Sequence, residues 1–497
     1  MEERSVTIPA AEISADDLGF FRWGRVAGKV LVTNDAAEWA FLSEEELSAL
    51  LRGEIVDGHP RFVELRAKGL LRDGLDLDAL AGRIAARSRH VRRGPYVHVV
   101  TLTSRVAGAN GQAGDAPLDM TSEIADQVVE LALQGPSPAM TFEFRGDGGE
   151  ALLNFAVLRR FVELAQSRNR QTIGKQLRFS VTTDLTAMTD EIAEWLIAND
   201  VGVATHLDGP AAVHDANRAR IGGSAHADTV RWIEFFNKRY VELGRDPQET
   251  HVDVRLRVTR DTIESARAVV DEYVARGLRT IHLHPLDSVR FDSETWAAIG
   301  YDAAQYVEFY RGALDYIVEL NRRGVELAEG MAAIFLTKML TTDDPGIVDI
   351  QSPYGAGTGQ LAYGVDGRVF PCEEARVLDT RGDATFELGR VAHLVVAEIV
   401  RHPTVRAIAA ASLLDAQPLC AECWNKPYCG FSPVRTYASQ GDLFGQRLRC
   451  FDCKEHMGVA RRLFELLADE NDTQGAEIFK RWTALRPPHA IDRRANS

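Results

Sequence analysis

Between residues 95 and 330 the sequence alternates strand-like and helix-like segments with a regular beat, and no other feature restricts the fold as much. YVHVVTLTS is an apolar, β-branched run, and TSEIADQVVELALQ follows it as an amphipathic helix. MTFEFRG, QLRFSVTTD, GVATHLD, HVDVRLRVTR and TIHLHPLD supply further strands. NFAVLRRFVELAQ, MTDEIAEWLIAND and SARAVVDEYVARG supply helices, and YVEFYRGALDYIVELNRRG is a long final one. Six strands joined by helical crossovers predict a parallel sheet. Such units close into a barrel or open into a doubly wound sheet. Either way, sites collect at the C-terminal strand ends.

Residues 1–90 read as a separate unit. FFRWGRVAGKVLVTNDAAEWAFLS alternates apolar and polar residues around AGK and ND turns, which predicts a small antiparallel meander. SEEELSALLRG begins with a Ser cap and a Glu three residues on, and Gly53 ends that helix. HPRFVELRAKGLL gives a second helix stopped by Gly. The order suits a winged-helix-like module or a structural extension of the next domain.

All six cysteines lie in the last third of the chain: Cys372, Cys420, Cys423, Cys429, Cys450 and Cys453. The last five read C-x2-C-x5-C, twenty residues, then C-x2-C. Tight pairs of this kind let several thiolates converge on one metal or cluster. A disulfide scaffold is usually short and secreted, whereas this chain has 497 residues and its start lacks a signal pattern. A cytoplasmic metal site is the expectation. The formal net charge of −15, with no basic stripe, argues against nucleic acid and anionic membrane as partners.

Several polar residues fall at predicted strand ends. The turn RGDGGEALLNF places Gly148 and Gly149 where backbone can approach a ligand closely, with Glu150 next as acceptor for a ligand amine or as a first-turn helix acid. After the fourth strand, which ends at His206, Asp208-Gly209-Pro210 makes a tight turn, and His214, Asp215, Asn217 and Arg218 crowd a short polar segment. His282 and His284 share one strand face and, with Asp287, form a candidate acid–base pair or metal site if they are not simply packed.

Together these segments resemble the radical SAM superfamily with a SPASM-type C-terminal extension, the group that modifies ribosomal peptides and sulfatases. LDGPAAVHDANR resembles the family's SLDGP-x-x-H-D-x-x-R loop. Gly148, Gly149 and Glu150 resemble the GGE motif that holds the amino group of S-adenosylmethionine (SAM). GQLAYGVDGRVFPCEE followed by C-x2-C-x5-C resembles the auxiliary-cluster region, with Gly367 and Cys372 in a G-x4-C pattern. The resemblance covers roughly residues 95–457, and the overall order is similar to peptide maturases of the His-Xaa-Ser system.

The resemblance implies an α/β architecture: a partial (β/α)6 TIM-like barrel over 91–330, a SPASM-type iron–sulfur domain over 331–460, and a C-terminal helix and tail over 461–497. It implies Gly148, Gly149, Glu150 and Asp208 as cofactor-binding residues. It also implies one [4Fe-4S] cluster at Cys420, Cys423 and Cys429, closed by Cys453 or Cys450, with zinc as the competing metal. Cys372 is left as a buried thiol or as the partner of Cys450 on a remnant site. Glu373 matches a position where some members carry a substrate-deprotonating acid; otherwise it is a surface acid.

The chain departs from the family where the chemistry begins. The family's C-x3-C-x2-C loop is TSRVAGANGQAGDAP here, with Ala109, Ala113 and Ala116 at the cysteine spacing. Methyl groups do not bind iron, so SAM loses the open iron that anchors and cleaves it. GGEP is GGEA, and cysteines frequent near Tyr354 and Ser432 are missing. The expectation is a degenerate protein that binds a ribosomally made precursor peptide beside an active radical SAM maturase. The alternatives are non-radical chemistry at the barrel mouth, using Glu150, His282, His284 or Glu373, and a cysteine-to-alanine variant of an active maturase. That variant would explain only the first loop.

Overall fold

The computed structural model describes residues 15–73, 75–106, 119–171, 174–218, 223–247 and 249–485. The N-terminal meander forms as its turns predict, from β1 (Arg22–Val26), β2 (Lys29–Thr33) and β3 (Trp39–Leu42). Ala27 and Gly28 both take positive φ, giving a two-residue turn whose twist matches the strands it joins. In the next turn Asn34 Oδ1 accepts from the N–H groups of Ala36 and Glu38, each at 3.1 Å. The capping box of Ser43 and Glu46 starts the helix Glu44–Leu51. Val30, Val32, Leu47, Leu50 and Leu65 close a small core of their own.

Six longer strands follow: β4 (Val97–Thr103), β5 (Ala139–Gly146), β6 (Gln176–Thr182), β7 (Val201–His206), β8 (Asp253–Val258) and β9 (Thr280–Pro285). They are the six strands expected, paired parallel in chain order. The sheet continues past both ends. β10 (Ala328–Glu329) joins β9 in parallel, and β11 (Gln360–Tyr363) joins β4 in parallel. β12 (Arg368–Phe370) and β13 (Gly389–Arg390) then add antiparallel. The result is an open ten-stranded sheet, in which residues 360–390 extend the sheet rather than belonging only to the cysteine-rich segment.

Parallel strands covered on both faces read as continuous apolar runs, and these do not. Phe142 and Phe144 on β5, Leu256 and Val258 on β8, and Ile281 and Leu283 on β9 are buried in the main core. The alternate residues Glu143, Arg145, Arg255, Arg257, His282 and His284 all retain accessible surface on the opposite, concave side. The sheet therefore has an apolar face under its helices and a charged, accessible lumen face.

The C-terminal helices Phe451–Leu467 and Thr473–Ala484 pack on Ala303–Arg322 and Gly330–Leu340. Phe464, fully buried, is the meeting point of the two ends of the chain. Its ring lies 5.3–6.2 Å from those of Trp39 and Phe41 in the meander and of Trp424 and Tyr428 in the cysteine loop. Thr33 Oγ1 donates to the Trp424 carbonyl at 2.8 Å, and Tyr428 donates to the Ala37 carbonyl at 3.0 Å. Among the described residues no helix is long and apolar enough to cross a membrane.

Candidate functional site

The turn after β5 folds back across the end of β4. Asp147 N–H donates to the Thr103 carbonyl at 2.8 Å, and Glu150 N–H to the Arg105 carbonyl at 2.9 Å. Gly149 is required there, because a Cβ would stand 2.1 Å from the Arg105 carbonyl oxygen. Gly148 takes φ +65° at the tip. Glu150 turns inward. Its Oε1 accepts from Leu152 N–H at 2.8 Å, and Oε2 from Thr183 Oγ1 and Asp184 N–H at 2.9 and 2.7 Å. Burial, followed by the neighbouring Asp184 carboxylate, raises its pKa. Glu150 thus caps the short turn Ala151–Asn154, with both oxygens accepting from protein donors. Ala109, Ala113 and Ala116 lie outside the described residues, whose nearest ends are joined by Arg105 Nε donating to Asp119 at 2.9 Å.

The loop after β7 is also closed on itself. Asp208 N–H donates to His214 Nδ1 at 3.0 Å, while its carboxylate accepts from Arg218 Nε at 2.7 Å and Arg257 N–H at 3.2 Å. Burial pushes the His214 pKa down to about 4, so the ring stays a neutral acceptor in that loop. Asp208 thus organises the barrel mouth through Arg218.

On the concave face, strand register aligns His206, Arg255 and His282 across β7, β8 and β9, and sets Arg257 beside His284. The two histidine rings stack at 5.6 Å, confirming that they share a face. Enclosure by surrounding protein, then His282, pushes the His284 pKa down to about 3, although the ring touches solvent inside the lumen. The carboxylate beside His282 is Asp253, at 3.8 Å, whereas Asp287 lies 3.6 Å from Arg435. The expected grouping of His282 and His284 with Asp287 is replaced by one with Asp253. Glu373 is corrected too: it is buried, not a surface acid. Arg376 at 2.8 Å, Arg290 at 3.5 Å and Arg145 at 3.6 Å surround it. Against the upward push of burial, these guanidiniums hold its pKa well below the carboxylate range, which suits an ionic anchor and not a proton-abstracting base.

The cysteine loop runs through tight turns. Cys423 N–H donates to the Cys420 carbonyl, Lys426 to Cys423, and Cys429 to Lys426, at 3.0–3.2 Å. All six cysteines are free thiols. Burial raises the Cys420 pKa to about 11, helped by Cys453 and Cys423. Burial also raises Cys429, with Cys453, Cys423 and Cys420 adding to it. These four thiols therefore feel one another. Cys450 stands at their edge, accepting from Gln440 Nε2 at 3.2 Å. Among the described residues, no three His, Cys, Asp or Glu side chains converge tightly enough to hold a metal ion as they stand. Cys372 has other company: burial, then Glu374, raises its pKa, and Tyr354 lies beside it.

Arg435 carries no local signal of its role in the sequence. Its guanidinium contacts Glu374 at 2.9 Å, Asp287 at 3.6 Å, and Asp349 and Asp452 each at 3.7 Å. Tyr354 donates to Glu374 at 3.2 Å. Burial raises the pKa of both Asp287 and Asp349. Arg145, Arg255, Arg257, Arg290 and Arg376 were equally missed. A readable signal existed for three of them: charged residues alternating with apolar ones in MTFEFRG and HVDVRLRV, on strands destined for a covered sheet.

The mixed, mainly parallel ten-stranded sheet with its helices is consistent with the α/β fold of radical SAM enzymes. Neither protein-family models nor curated proteins match the sequence. Solved structures do match. Native anSMEcpe with bound AdoMet aligns with a TM-score of 0.62 at 16% identity, over 78% of this chain and 100% of its own. The same protein with AdoMet and the Cp18Cys peptide gives 0.61 at 16%, over 78% and 99%. Streptococcus suis SuiB bound to the precursor peptide SuiA gives 0.50 at 12%, over 87% and 98%. At these identities the likeness is one of fold.

Proposed function

We propose that this protein uses a radical SAM fold to bind a ribosomally made precursor peptide without cleaving SAM, as the partner of an active peptide maturase. One observation carries the reading: residues 104–118, where the fold calls for three cluster-binding cysteines, contain neither cysteine nor histidine. The catalytic cluster does not fit this chain, and no step is assigned to it. Incubation with SAM and dithionite is expected to give no 5′-deoxyadenosine above a no-enzyme blank. Its production would sink the reading.

Sharing a fold with structures solved around peptides supports the peptide half of the proposal. So does the meander. β1 is an edge strand, with Phe20 and Trp23 62% and 46% exposed. An extended leader adds to such an edge by β-augmentation, with affinity of about micromolar after its ordering cost. Its core segment would occupy the lumen. Trp23→Glu is expected to weaken precursor binding at least tenfold without altering the melting curve; unchanged binding would remove the meander from the mechanism.

The donor set of Cys420, Cys423, Cys429 and Cys453 fits one [4Fe-4S] cluster of a SPASM-type domain, or zinc, because a bound cation would displace the thiol protons and stabilise neighbouring thiolates that burial and mutual proximity otherwise disfavour. Bound there, either group supplies a cross-link between the cysteine loop and the helix that carries Cys453. Elemental analysis after anaerobic purification distinguishes the two.

A further inference from the structure

The charged groups of the lumen are nearly all matched. Arg145 lies 2.9 Å from Glu143, Arg218 2.7 Å from Asp208, Arg255 2.7 Å from Asp253, and Arg376 2.8 Å from Glu373. Arg257 is the exception. Among the described residues its guanidinium has no ion-pair partner, although its side chain projects into the accessible lumen near the C-terminal end of β8. Its charged surroundings are mostly repulsive: Arg218, Arg290 and Arg145 oppose its charge, and the nearby Asp208 is already engaged by Arg218. Enclosure and those cations lower its pKa, yet a guanidinium keeps its proton under ordinary conditions. The same positive field, from Arg257, Arg218 and Arg255, helps hold His206 neutral on the adjacent strand.

We infer that Arg257 is the anchor of a carboxylate-binding subsite in the barrel lumen. Arg257 is exposed on this face with no ion-pair partner among the described residues and with other cations near it, so an entering anion meets an unmatched positive charge. The shape of the group selects the anion. One planar guanidinium edge presents two parallel N–H donors, which match the two coplanar oxygens of a carboxylate. Arg290, exposed at the rim and only loosely tied to Glu373 at 3.5 Å, can add a second donor. The carboxylate can belong to an aspartate or glutamate of an extended peptide or to a free dicarboxylic acid. The inference stands without the precursor-peptide reading, since the free acid tests it alone.

The test uses the full-length protein, calorimetric titration and four probes: glutarate, an Ala-Glu-Ala peptide capped at both ends, its Ala-Gln-Ala counterpart, and inorganic phosphate. The expected result is that the Glu peptide or glutarate binds at least tenfold more tightly than the Gln peptide, with affinity falling as salt rises. Binding of the Glu peptide but not glutarate identifies a peptide source; binding of glutarate as well identifies a free acid as sufficient. Arg257→Gln is expected to abolish the preference for Glu, and Arg257→Lys to retain part of it. Without ligand, Arg257→Gln should melt at or above the wild-type temperature, because it removes an uncompensated charge. A clear drop in melting temperature would reveal a partner for Arg257 and overturn the inference. Equal binding of Glu and Gln peptides, tighter binding of phosphate, or an unchanged preference in Arg257→Gln would overturn it as well.

Discussion

Gly24→Ala should disturb the cysteine loop from the far end of the chain. A Cβ at Gly24 would stand 2.2 Å from Trp424 Cδ1, 2.7 Å from Nε1 and 3.0 Å from Cγ. Carbon atoms in good contact sit about 3.5–4.0 Å apart, so the indole would have to retreat by about 1.3 Å or more. It has little room. Trp424 is buried, its ring meets Phe464 at 5.7 Å, and its carbonyl is held by Thr33. Overpacking of this kind costs about 1–3 kcal/mol. Because Trp424 follows Cys423 directly, the displacement should also open that thiol. Two measurements check this: urea unfolding followed by tryptophan emission, and the rate of maleimide labelling of Cys420 and Cys423 in the metal-free protein. The variant should lose about 1–3 kcal/mol and label several-fold faster. Stability within about 0.5 kcal/mol of wild type, together with unchanged labelling, would refute the idea that the meander seals the cysteine loop.

Phe464→Ala removes the ring shared by four aromatic neighbours and should cost about 3–5 kcal/mol, read by the same unfolding assay. Glu373→Gln leaves three arginines facing a neutral amide and should cost about 3–5 kcal/mol at pH 7. The Glu373 pKa is depressed in the folded state, so its contribution is complete above the unfolded value of about 4.3. The gap between wild type and Glu373→Gln should therefore be flat above about pH 5 and narrow only below about pH 4. His98 is buried between Phe142 and Tyr363, and burial lowers its pKa to about 3. The unfolded chain takes up that proton first as pH falls below about 6.5, so stability should drop by about 1.4 kcal/mol per pH unit from there toward pH 3. His98→Phe should flatten that acid limb in pH-dependent melting.

Local signals were legible in the sequence. The AGK turn, the Asn34 turn and the Ser43–Glu46 box each depend on residues within four positions, and each formed. The six parallel strands were legible because each is long enough to show a period against its helix. β10 to β13 were not, since two to four residues carry no period. Glu373 was misread as a surface acid or a base because its partners Arg145 and Arg290 come from distant strand ends. The Arg435 network gathers acids from separate loops, and nothing local announces it. The four neighbouring thiols were visible as a spacing, while their covering by the meander was not.

That covering has a consequence for how the protein is made. Thr33 and the Trp424 carbonyl it bonds are 391 residues apart. At about 5–20 residues per second, the meander emerges roughly 20–80 s before the cysteine loop is synthesised. Throughout that interval Trp39 and Phe41 lack Phe464, and β1 and β3 remain open edges. The meander, translated well before its partners, is therefore among the last segments to find its place. Slower decoding of the intervening barrel lengthens the period in which a nascent chain presents an uncovered aromatic face to other nascent chains.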